Sequence, residues 1–146
     1  MSADLIFTLC SNAILPGWLL LVFAPKWKWT TGFITSFLIP CMLGVVYIGL
    51  FISQANVMPQ GGGFGSPQEL ALSFSNPYLL TAGWIHYLAF DLFVGTCYVT
   101  DAQKQGLNHW LVVTCLVFTL MLGPAVFALY LLLRFVITKQ LFLHHA

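Results

Sequence analysis

Apolar positions in this chain fall into four long stretches, at residues 5–24, 32–52, 78–99 and 110–135. A helix needs roughly 20 apolar residues to cross a bilayer, and each stretch supplies them. The first three carry no Lys or Arg, and the fourth meets Arg134 only in its last turn. A helix of a soluble bundle shows a polar stripe along one side, and none of these does. The pattern predicts an all-α membrane protein, a four-transmembrane-helix bundle in which residues 1–146 form one integral membrane domain. Pro16, Pro40 and Pro124 lie inside spans one, two and four and predict kinks, because each frees a backbone carbonyl. Gly17, Gly44, Gly49, Gly95 and Gly123 predict close helix contacts.

Polar positions gather in the connections. Residues 25–31 hold Lys26, Trp27, Lys28 and Trp29, the aromatic and basic mixture of an interfacial anchor. Residues 100–109 form a connection of similar length, whereas 53–77 is longer and contains Gly61-Gly62-Gly63-Phe64-Gly65. No strand precedes these glycines and no Lys-Ser/Thr follows them, so a phosphate-binding loop is excluded. Ser66-Pro67-Gln68-Glu69 is a capping box with proline at the first helical position. It predicts a short interfacial helix to about Phe74, and Asn76-Pro77 repeats the start signal for span three. Lys26, Lys28 and Lys104 are expected on one side of the membrane, Arg134 and Lys139 on the other. That weak bias puts the two short connections inside and both termini outside. The N-terminus lacks the basic n-region of a secretory signal, and the run after it is too long for one, so it is expected to be a retained span.

Composition strengthens the membrane reading: 60% of residues are hydrophobic and 6% charged, with a mean hydropathy of +0.91. Soluble domains carry about 25% charged residues. The net charge of +1 argues for neither a nucleic-acid partner nor an electrostatic membrane anchor. Cys10, Cys41, Cys97 and Cys115 all lie in apolar runs without metal or disulfide spacing and are expected to be packing residues. His109 falls at an interface; His144-His145, at the tail, form a weak metal pattern but are expected to be a solvated end, and no metal site is expected.

Two ionisable side chains stand deep in a span, His86 and Asp91. A charged group at the bilayer centre costs about 2.5–3.5 kcal/mol even on the lenient insertion scale, so intramembrane ionisable residues point to function. At about 100° per residue, Tyr87 and Trp84 share the Asp91 face, while His86 sits on a flank with Gly83, Phe90 and Phe93. Asp91 and His86 are candidates for an acid and a base facing the bundle interior. The alternative is a polar clamp from Asp91 to Tyr87, or to a hydroxyl such as Thr114 or Thr119. Aromatic residues make up 16% of the chain and could line a slot for a polyene or porphyrin-like pigment, or simply fill core and lipid-facing positions.

Asn76-Pro77-Tyr78-Leu79-Leu80, the run from Trp84 to Gly95, Asp101-Ala102 and Leu120-Met121-Leu122-Gly123-Pro124, with the glycine loop before them, resemble the abscisic-acid-deficient-four-like family of membrane proteins. The likeness covers nearly the whole chain and is specific from Gly61 to Pro124. Plant members are required for forming neoxanthin from violaxanthin, and relatives occur in cyanobacteria and other bacteria. The resemblance implies a carotenoid epoxide isomerase with His86 and Asp91 as catalytic residues and Trp84, Tyr87 and Phe90 lining the ligand. It needs no cofactor, although a carotenoid or chlorophyll-like pigment could be bound. The pattern departs at Thr96, where many relatives carry Arg, and the charge balance differs accordingly. The alternatives are a non-catalytic pigment- or lipid-binding subunit and a structural subunit of a larger, for example photosynthetic, membrane complex. Expected partners are membrane lipids, a carotenoid-like ligand, and complex partners or a second copy, in a bacterial inner, thylakoid or plastid membrane.

Overall fold

The computed structural model describes residues 1–54 and 56–139. Four helices are long and apolar enough to cross a bilayer: α1 (Ala3–Phe23), α2 (Thr30–Gln54), α4 (Pro77–Gln105) and α5 (His109–Thr138). The short α3 (Pro67–Ser73) lies between the second and third of them. This is the expected all-α architecture.

Local chemistry sets the helix ends. Ser66 Oγ accepts from the Glu69 N–H at 3.2 Å, and Glu69 Oε2 reaches back to the Gly65 N–H at 3.0 Å, which closes the predicted cap. Asn76 and Asn108 cap α4 and α5 through the N–H groups of Tyr78 and Trp110. Gly106, at φ 67°, ends α4 in the left-handed conformation that suits glycine.

The prolines act differently from one another. α1 continues through Pro16. The first part of α2, Thr30–Leu38, is wound as a π-helix, with the Ile39 N–H on the Ile34 carbonyl. Pro40 follows directly, where wider winding accommodates a ring that would clash with the preceding α-helical turn. In α5, Leu122 leaves helical geometry (φ −128°, ψ 34°) two residues before Pro124.

That break reverses the chain. Leu116 packs on Gly95, and the Tyr87 hydroxyl reaches the Leu120 carbonyl, so the first arm of α5 descends along α4. Beyond the break Gly123 meets Asp91, Phe127 stacks on Tyr98, and Arg134 pairs with Asp101, so the second arm climbs back. Across one cavity Trp110, Thr114 and Phe118 face Leu133, Leu129 and Ala125, with Leu122 at the apex. Both ends of α5 therefore lie at one end of the bundle. The expectation that Arg134 and Lys139 lie opposite Lys26, Lys28 and Lys104 is corrected, because a bend at Leu122-Gly123-Pro124 leaves no trace in hydropathy.

α4 is the central helix and touches α1, both parts of α2, and α5. Its buried face includes Leu88, Leu92 and Val99 as well as Gly95. A Cβ on Gly17 would lie 2.9 Å from Ile39 Cδ1, and one on Gly95 would lie 2.9 Å from Leu116 Cδ2. These are the predicted close approaches. Gly44 and Gly49 make none, since a Cβ there would meet nothing within 4 Å. Leu9, Leu19, Val45, Ile48 and Leu132 are exposed, as lipid-facing side chains are.

Candidate functional site

α4 carries the candidate chemistry on two separate sides. On one side, α2 and α4 leave a groove made of two cavities, of about 360 and 240 Å³, which share Tyr47 and His86. The larger is walled by Leu43, Ala89, Phe90 and Phe93. His86 is exposed in this groove, its ring 4.6 Å from Phe90 and 5.9 Å from Tyr47. The smaller cavity ends beneath the glycine loop and α3, where Phe64 stacks on Phe51 at 6.1 Å and Phe74 closes over Gly83. Ser73 holds that cover in place by donating to the Gly63 carbonyl.

On the other side, Asp91 is only 8% exposed and faces other helices, as expected of a carboxyl that hydrocarbon cannot solvate. Its Oδ1 lies against Gly123, where a Cβ would approach to 2.8 Å. Tyr87 stands one turn away. Pro124 has no N–H to give the Leu120 carbonyl, and the Tyr87 hydroxyl donates to that carbonyl at 2.9 Å. Trp84 stacks on Tyr87 and Phe7 and donates its indole N–H to Ser11 Oγ at 2.9 Å, tying α4 to α1. Asp91, Tyr87 and Trp84 thus share a face, as their spacing predicts, and this face holds the bend of α5.

Of the expected ligand-lining residues, the groove receives Phe90, while Tyr87 and Trp84 belong to the α1 and α5 side. His86 and Asp91 are not brought to one cavity. Thr114, considered as a partner for Asp91, bonds instead to the Trp110 carbonyl, and the Thr119 hydroxyl to that of Cys115. Thr96, where Arg was noted in relatives, is buried and donates to Thr35 Oγ1 at 2.8 Å, joining α4 to the π-helical turn. His109 contacts the Val22 carbonyl, and His144 and His145 lie outside the described residues. Among the described residues no cluster of three His, Cys, Asp or Glu side chains could hold a metal ion.

Sequence reasoning missed one polar cluster. Asp101 Oδ2 receives Arg134 Nε at 2.7 Å and the Tyr130 hydroxyl at 2.7 Å, with Arg134 only 2% exposed. The pair is 33 residues apart and becomes a pair only because α5 turns back. Arg134 in an apolar run, with Asp101 near the end of the preceding helix, was the available signal.

The architecture and the buried polar contacts define a polytopic all-α membrane protein built around one central helix. The family model described as ABA DEFICIENT 4-like matches residues 5–130, and the chain belongs to that family. It is 29% identical over 129 residues to Protein ABA DEFICIENT 4, chloroplastic, of Arabidopsis thaliana, covering 80% of this chain and 56% of that protein. The chain therefore spans little more than half the length of that relative. No solved structure matches.

Proposed function

We propose that this chain binds a carotenoid in the groove between α2 and α4 and serves carotenoid modification of the neoxanthin-forming kind. The observation that supports this most is the groove itself, two joined cavities lined by aromatic and aliphatic side chains with a single imidazole at their junction. A pocket of this character suits a long apolar ligand with one polar feature. Membership of the ABA DEFICIENT 4-like family supports the ligand class.

The reaction that fits is opening of a carotenoid epoxide to an allene. A proton reaches the epoxide oxygen, its C–O bond breaks, and a proton leaves the neighbouring side-chain carbon. Composition is unchanged, so no cofactor is consumed. His86 is the proton acceptor, and Tyr47 is the other side chain carrying a protic group that lines both cavities. Asp91 lies on the opposite side of α4, against the bend of α5, and takes no direct part in the reaction. A second reading, pigment binding without turnover, is favoured by the scarcity of polar groups in the groove. An exposed imidazole there could ligate the Mg of a chlorophyll-like pigment.

The test co-expresses wild-type protein, His86→Ala and Asp91→Asn in a host that makes epoxy-carotenoids, then analyses products and copurified pigment. The wild type should carry carotenoid and yield the allene. His86→Ala should lose product by about 10²-fold or more, and Asp91→Asn should keep bound pigment. Pigment without product in the wild type would select the binding role, and neither pigment nor product would refute both.

A further inference from the structure

All five Lys and Arg residues of the chain lie at one end of the bundle. Gln103 donates to the Pro25 carbonyl at 2.6 Å and His109 contacts the Val22 carbonyl, which brings the connection bearing Lys26 and Lys28 beside the one after Lys104. The Arg134–Asp101 pair returns the second arm of α5, and Lys139 after it, to the same end. At the opposite end the Tyr78 hydroxyl meets the Met1 carbonyl and Asn76 meets Gln54. The acids there are Asp4 and Glu69, and no Lys or Arg accompanies them. A net charge of only +1 conceals this separation, because Asp4, Glu69, Asp91 and Asp101 offset four of the five cations.

We propose that the basic end is a docking surface for anionic lipid headgroups and fixes the orientation of the protein. Lys26, Lys28, Lys104 and Lys139 meet the negatively charged leaflet, while the N-terminus, the glycine loop and α3 lie across the membrane. Short loops rich in Lys and Arg stay on the cytoplasmic side, and anionic leaflets attract such segments. Lys26, Gln103 and His109 border a cavity of about 540 Å³ between the two connections, wide enough to seat a headgroup. Trp27, Trp29 and Trp110, in or beside the two connections, are exposed and anchor the helix ends at the interface. Arg134 takes no part, since it is buried against Asp101.

The probes are bilayers containing brominated phosphatidylglycerol or brominated phosphatidylcholine, with the full chain reconstituted and its tryptophan fluorescence measured. The anionic lipid should quench more strongly at equal mole fraction, and K26Q/K28Q/K104Q/K139Q should lose most of that preference, roughly fivefold per charge at most. Equal quenching of the wild type by the two lipids would overturn the proposal, as would a preference unchanged in the quadruple variant. Orientation is read separately, from C-terminal fusions of the wild-type chain in a bacterial inner membrane. A green fluorescent protein should fluoresce and an alkaline phosphatase should stay inactive. An active phosphatase would place the basic end outside and sink the proposal.

Discussion

At the residue scale, the apex of α5 depends on a few polar atoms whose loss has a defined cost. Tyr87→Phe removes the donor that satisfies the Leu120 carbonyl, and a carbonyl left without a donor or water in the apolar bilayer costs about 1–3 kcal/mol. Thermal unfolding in detergent should show that loss, while Trp84 keeps its bond to Ser11. Gly123→Val should be worse, because its Cβ would meet the Asp91 carboxyl at the bend. Arg134→Met should destabilise by about 3–5 kcal/mol, since it strands the Asp101 carboxylate beside Tyr130. Adding Asp101→Asn to that variant should recover part of the loss, and failure to do so would show that the pair contributes little. The helical wheel made the Asp91 and Tyr87 side of α4 legible, and His86 on another flank. It could not show that Tyr87 answers a carbonyl freed by Pro124, because that needs the depth at which two helices meet.

At the element scale, the hydropathy of residues 110–135 gives the length and apolar character of α5 but not its path. A folded arm and a straight span bury the same kind of surface against lipid. Leu122-Gly123-Pro124 marked a kink, and only contacts to Gly95, Tyr98 and Asp101 reveal a reversal. Leu111 and Leu133 both line the cavity between the arms, whereas in a straight helix of 1.5 Å rise they would stand about 33 Å apart. Spin labels at these two positions should report a short distance by pulsed resonance, and a separation near the straight-helix value would refute the hairpin. The π-helical start of α2 was also hidden. Thr30, at the end of the connection, and Thr35, in the span, look ordinary until Thr35 is seen between the Thr30 carbonyl and Thr96.

At the scale of the whole molecule, the groove makes a prediction independent of catalysis. Gly44 borders the larger cavity, and a Cβ there meets nothing within 4 Å. Gly44→Phe should therefore fold normally and project a ring into the groove. Bound carotenoid should fall sharply while the unfolding temperature changes little. Retention of pigment at wild-type levels would move the binding site elsewhere.

The doubled path of α5 also gives the protein a shape. At the basic end five helical rods lie side by side, namely α1, α2, α4 and the two arms of α5. Near the start of α4, over roughly 15 Å from Pro77 to the level of Tyr87, three long rods remain, and beside them lie only the short α3 and the glycine loop. The cross-section in one leaflet is thus larger than in the other. Such a wedge packs best where the leaflet holding the basic end is the convex one, and it strains a flat bilayer. Reconstituted into vesicles of graded diameter, molecules with that end outward should concentrate in the smallest, and those inserted the other way should avoid them. An equal density at every diameter would show that lipid fills the space beneath the apex without cost.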